Sequence, residues 1–206
     1  MTIKPALPHK FYPIVDDLTW LERLLPLGVR FVQLRIKDKS GPDLGNQIKT
    51  AIDIQKKYDA TIVINDYWKC AIKFGALYVH LGQEDLESAD MKAIKKSGIK
   101  IGISTHNHKE LENALRYDPD YIALGPIFQP IAKQMTIKPQ GLDRIREWKS
   151  LTNGIPLVAI GGIRLENVKD VLAYGADTIA CIGDVLQSEN PENQARKWLA
   201  AVHETS

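Results

Sequence analysis

The chain has 206 residues, 44% hydrophobic and 25% charged, with 27 basic against 25 acidic side chains and a net charge of +2. That mix excludes a disordered chain, supplies apolar surface for one domain's core, and gives no support for a nucleic-acid polyanion binder. No apolar run approaches the ~20 residues of a membrane span, the start MTIKPALPHKFYP lacks the apolar centre of a signal peptide, and Cys70 and Cys181 resemble neither a disulfide framework nor a zinc site, so a soluble, reducing, cytoplasmic setting is expected.

Residues 1–10 read as an N-terminal extension. Phe11–Asp17 is the first run of β-branched and aromatic residues short enough to predict a strand. A helix is expected from near Asp17, with Trp20, Leu21, Leu24 and Leu25 as its apolar stripe. Further strands are predicted over Phe31–Ile36, Thr61–Asp66, Leu77–Gly82, Lys100–Thr105, Tyr121–Pro126, Pro156–Gly162 and Thr178–Gly183. Between them lie stripes at helical spacing, among them Leu111, Ala114 and Leu115, then Val168, Val171 and Leu172. Pro191 fits the first turn of a last helix reaching Val202. Gly28, Gly75, Gly98 and Gly175 each fall between a helical run and a strand, where a left-handed residue ends a helix. The repeated punctuation predicts eight strands and eight helices, an α/β chain forming a single (β/α)8 TIM barrel over 1–206. The rival, an open doubly wound sheet, lacks its usual GxGxxG turn. The stretch Ile127–Pro139 is too long for a simple connection and reads as an active-site loop.

Sites in a parallel barrel form where strands end. The second strand ends Gln33-Leu34-Arg35-Ile36-Lys37, and period two puts Gln33, Arg35 and Lys37 on one face. Two cations at a barrel mouth repel unless an anion lies between them; the alternative is that they project to solvent. The third strand ends Asn65-Asp66, and the fourth runs into Gly82-Gln83-Glu84-Asp85. Carboxylates from adjacent strands, ~4.8 Å apart, reach a common ion, and such a pair suits Mg²⁺ rather than zinc. Helix capping is the other reading of Asp66 and Asp85. His80 reads as a hydrogen-bonded core residue rather than a ligand. Cations beside a hard divalent ion imply a diphosphate. Ser104 offers it a hydroxyl, and Lys133 in the long loop a mobile cation. A separable phosphate site is expected at Gly161-Gly162 and at Ile182-Gly183, although Asp184 would oppose a phosphate there. The two anion sites together predict a transferase with diphosphate as leaving group.

The stretches GVRFVQLRIKD, IVINDYW, VHLGQEDL, IGISTH, DYIALGPIF and VAIGGI, and KQM followed by PQGL, resemble the thiamine phosphate synthase (thiamine-phosphate pyrophosphorylase) family over nearly the whole chain. The resemblance implies a (β/α)8 barrel that joins 4-amino-5-hydroxymethyl-2-methylpyrimidine diphosphate to 4-methyl-5-(2-phosphoethyl)thiazole and releases diphosphate. By the resemblance, Gln33, Arg35, Lys37 and Asn65 hold the pyrimidine diphosphate. Asp66 and Asp85 ligate magnesium, and Ser104 and Lys133 contact the diphosphate. Gly162, Ile182 and Gly183 hold the thiazole phosphate. The partners implied are these small phosphorylated substrates, with no nucleic acid and no membrane; association into a homo-oligomer is left open. One region departs. Where the family usually has FPTxTK, Pro130 and Ala132 replace the threonines, and Gly183-Asp184 stands where Ser-Ala is common. Three lost donors, each worth about 0.5–1.5 kcal/mol, would weaken the thiazole phosphate by about two to three orders of magnitude if additive. Two other readings are a tautomerase-like isomerase using His106 as base and a non-catalytic binder of phosphorylated thiamine precursors.

Overall fold

The computed structural model describes residues 4–37, 39–129 and 138–205. Its strands are β1 (Phe11–Val15), β2 (Phe31–Leu34), β3 (Thr61–Asn65), β4 (Tyr78–Leu81), β5 (Lys100–Thr105), β6 (Tyr121–Leu124), β7 (Leu157–Ile160) and β8 (Thr178–Cys181). Each pairs in parallel with the next, and β1 pairs with β8 through Phe11–Ile179, Tyr12–Ala180 and Pro13–Cys181. That last pairing closes the barrel and excludes the open sheet.

Among the described residues the helices are α1 (Leu18–Leu24), α2 (Gly41–Tyr58), α3 (Trp68–Phe74), α4 (Gln83–Ser88), α5 (Met91–Lys96), α6 (His108–Leu115), α7 (Leu142–Leu151), α8 (Val168–Ala173), α9 (Gly183–Leu186) and α10 (Pro191–His203). The expected eight is therefore an undercount. The β4–β5 connection carries two short helices, because Asp90 starts a second one by accepting from Ala93 N. A single turn, α9, also precedes α10.

Seven of the strands are shorter than the sequence predicts, mostly at their C-terminal ends. The apolar pattern runs on past the ladder there, but the backbone leaves it. Asp66 turns at φ 63°, Gly183 begins α9, and Pro126 has no N–H to donate. These departures open the end of the barrel where the site lies.

Alternation along the strands makes two apolar layers. Phe11, Val15, Val32 and Leu34 face the helices, while Tyr12, Ile14, Phe31, Val63, Tyr78 and Tyr121 fill the interior. Tyr12 stacks on Phe31 with centroids 4.0 Å apart. Leu7, before β1, packs against the same interior cluster. Two helices are tied to the site end through buried indoles. Trp148 on α7 donates to Thr105 Oγ1 at 2.9 Å, and Trp198 on α10 donates to Asp184 Oδ2 at 2.7 Å. No helix among the described residues is long and apolar enough to cross a membrane.

Candidate active site

One residue beyond β2, Arg35 N still donates to Val15 O at 2.7 Å, so the ladder fixes the backbone from which Arg35 and Lys37 rise. Gln33, on the same face, is buried and donates to the Tyr12 hydroxyl at 3.0 Å. At the end of β3, Asp66 N donates to His80 O at 2.9 Å. Its left-handed backbone, tolerated by Asp and Asn, lifts the chain out of the sheet. Asp66 does not cap α3, whose N-cap is Tyr67. Asp85 does take part in capping: it sits in the first turn of α4, and its Oδ2 accepts from Gly82 N at 3.1 Å.

Arg35, Lys37, Asp66 and Asp85 meet at one cavity of about 880 Å³, and Gln33, Asn65 and Ser104 line it too. Burial, then the charge of Asp85 and a hydrogen bond with it, push the Asp66 carboxyl up to about 6; Arg35 and Lys37 pull it the other way. Asp66 is therefore within electrostatic reach of the other three groups; Arg35 is partly buried and Lys37 is exposed. Among the described residues no group of three or more His, Cys, Asp or Glu gathers in a way that could hold a metal, so the carboxylates stand as a pair.

Gly162, Ile182 and Gly183 line the same cavity. A Cβ on Gly162 would lie 2.5 Å from Phe128 O, and its φ is 64°. Glycine there is thus demanded by the close approach of the segment after β6 as well as by the turn. Asp184 lines the cavity beside Ile182 and Gly183, and its Oδ2 accepts from Trp198 Nε1, from Gln194 Nε2 at 2.8 Å and from Leu165 N at 3.2 Å, neutral donors that hold the carboxylate in place and leave it its charge. Lys133, Pro130 and Ala132 lie outside the described residues.

The sequence reading passed over several residues here. Gln83 Nε2 donates to Ser104 O at 2.7 Å and clamps the end of β5. Glu110 holds the next loop through His106 N at 2.9 Å and His106 Nδ1 at 2.7 Å. Arg164 lines the cavity beside Gly162; its position after Gly161-Gly162-Ile163 was the available signal. His80 is buried, as expected of a core histidine, and burial followed by the charge of Arg35 lowers it to about 4. It bonds to Tyr121 and Ser104. Burial raises the Tyr12 and Tyr121 hydroxyls, so both keep their protons.

The family model and the sequence relatives agree on one family. A family model described as thiamine monophosphate synthase matches residues 11–185. A Rhizobium etli protein named thiamine-phosphate synthase is 48% identical over 191 residues, covering 93% of this chain and 94% of the relative. One of the same name from Proteus mirabilis is 49% identical over 191 residues, covering 93% and 89%. The solved structure of a thiamine phosphate pyrophosphorylase from Pyrococcus furiosus superposes with a TM-score of 0.84 at 28% identity, covering 95% of this chain and 96% of that one.

Proposed function

The chain belongs to the thiamine monophosphate synthase family, and from that premise we propose that it joins 4-amino-5-hydroxymethyl-2-methylpyrimidine diphosphate to 4-methyl-5-(2-phosphoethyl)thiazole, giving thiamine phosphate and diphosphate. The observation that carries the reading is the set of two cations and two carboxylates at one barrel mouth. Cations alone would serve any anion. Carboxylates placed among them make sense if Asp66 and Asp85 would hold a divalent cation that offsets charge on the anion.

Asp66 and Asp85 would hold magnesium. The fit rests on their chemistry: the charge of Asp85 disfavours ionisation of Asp66, and a hard divalent cation would relieve that repulsion. A two-carboxylate set suits magnesium, which keeps waters and takes phosphate oxygens, and is too small for a zinc site. When bound, the ion neutralises charge on the diphosphate.

The chain's own residues do the rest. Arg35 and Lys37 bind the diphosphate and favour the charge that grows as it departs. Ser104 donates a hydrogen bond to it. Gln33 and Asn65 hold the pyrimidine below. The bond from the pyrimidine methylene to oxygen breaks, and its electron pair leaves with the diphosphate. The thiazole nitrogen then supplies the pair for the new carbon–nitrogen bond. No proton has to be removed from the nucleophile, and among the described residues the histidine that meets Ser104, His80, is backed by Tyr121 and not by a carboxylate. Gly162 and the backbone at Ile182 and Gly183 hold the thiazole phosphate. The synthase name carried by the relatives favours this transferase over the isomerase or the binder.

A coupled assay of diphosphate release, with magnesium and both substrates and then with each omitted in turn, tests the proposal. Release that needs all three is expected. Release at background level with all three present would refute it.

A further inference from the structure

A chain of hydrogen bonds crosses the barrel interior beneath the cavity. Gln33 Nε2 lies 3.0 Å from the Tyr12 hydroxyl, which lies 2.9 Å from the Tyr121 hydroxyl. Tyr121 lies 2.8 Å from His80 Nδ1, and His80 Nε2 lies 2.7 Å from Ser104 Oγ. Gln33, Tyr12, Tyr121 and His80 are all buried, and Ser104 alone of the five is partly open. The chain is built into the fold: a Cβ on Gly102 would fall 1.9 Å from the Tyr121 ring, so a side chain there would evict that ring.

Two hydroxyls and an imidazole can pass hydrogen bonds in either direction, but Gln33 selects one. An amide NH₂ only donates, so Tyr12 accepts from it. If Tyr121 also donated to Tyr12, the Tyr12 proton would be stranded in the interior. Tyr12 therefore donates to Tyr121, and Tyr121 donates to His80 Nδ1. That nitrogen is the bare one, the ring proton sits on Nε2, and Nε2–H donates to Ser104 Oγ. The Ser104 hydroxyl proton is then used by nothing in the chain and is free for the cavity. Gln83 fixes the backbone of the same residue at its carbonyl.

We infer that Gln33, Tyr12, Tyr121 and His80 are positioning residues that set Ser104 as a hydrogen-bond donor toward an anionic oxygen in the barrel mouth. That this oxygen belongs to the departing diphosphate rests on the function proposed above. The direction of the chain does not, and can be read without substrate.

The test has two arms. In the first, the full chain is labelled with ¹⁵N-histidine and the ring nitrogens of His80 are read by NMR without ligand. A protonated Nε2 with a bare Nδ1 is expected; a protonated Nδ1 reverses the chain, takes the Ser104 proton and overturns the inference. In the second, diphosphate release is measured for His80→Leu, His80→Gln and Ser104→Ala, with folding checked by circular dichroism. Gln places an amide N–H near the position of Nε2, so His80→Gln should stay within about threefold of the parent, while His80→Leu loses about tenfold in kcat, the size of one neutral hydrogen bond. His80→Leu should cost nothing further on a Ser104→Ala background. Equal losses in the Leu and Gln variants, or additive losses with Ser104→Ala, would show a merely structural role and overturn the inference. If the parent itself releases no diphosphate, the proposed reaction fails, and the tautomer still decides the direction.

Discussion

Asp66→Asn separates what the mouth costs from what it does. Both side chains accept the left-handed backbone found at this position, so the change removes charge without straining the turn. The native carboxyl is pushed up to about 6 from an ordinary value of 3.8. A carboxyl that holds its proton more tightly when folded stabilises the fold at low pH. Unfolding releases that proton between about pH 4 and 6, stability falls as pH rises through this window, and the cost is complete above it. Two units correspond to about 3 kcal/mol. Asp66 is only half-buried, and screening reduces this to about 1–2 kcal/mol. Without metal at pH 7.5, Asp66→Asn should therefore be more stable than the parent by that amount, a rise in Tm of about 3–6 °C. Near pH 4 the difference should vanish. Magnesium at a hundredfold its Kd should stabilise the parent by about 2.7 kcal/mol and leave the variant unmoved. Thermal and urea unfolding at both pH values, with and without magnesium, read all of this. A variant less stable than the parent at pH 7.5 without metal, or magnesium raising both Tm values equally, would refute the reasoning.

Arg35→Ala should weaken inorganic diphosphate, in the presence of magnesium, by about 10- to 100-fold in calorimetric titration, the size of a lost charge-assisted bond; unchanged affinity would remove Arg35 from the site. Asp184→Ala leaves the donors of Trp198, Gln194 and Leu165 without their acceptor. It should cost about 2–3 kcal/mol in urea unfolding, and a loss under 0.5 kcal/mol would contradict the assignment. Gly162→Ala drives a methyl group toward Phe128 O at a positive φ. In steady-state kinetics it should raise KM for the thiazole phosphate several-fold more than KM for the pyrimidine diphosphate, and equal effects on both would contradict separate half-sites.

The barrel was legible because its signals are local. Gly28, Gly75, Gly98 and Gly175, read as helix ends, all have positive φ, at 102°, 73°, 80° and 108°. Leu21, Leu24 and Leu25 are fully buried, as their spacing predicts. The charged mouth was legible for a related reason: period two within one strand and the parallel order of neighbours bring Arg35, Lys37, Asp66 and Asp85 to one end. Short helices such as α4, α5 and α9 escaped because four to six residues hold too few apolar positions to show a period. The partners of Asp184 also escaped, since Gln194 and Trp198 reach back from α10. The interior chain was the least visible part. Tyr12 and Tyr121 meet across the barrel from positions 109 residues apart, a contact that closure creates and no local pattern records.

The central claim is that a diphosphate binds at the mouth among two cations and two carboxylates that would hold magnesium. Crystals soaked with magnesium and inorganic diphosphate test it most directly. Density for both should lie among Arg35, Lys37, Asp66 and Asp85. Density elsewhere on the barrel, or those four side chains turned out into solvent around an empty mouth, would contradict it.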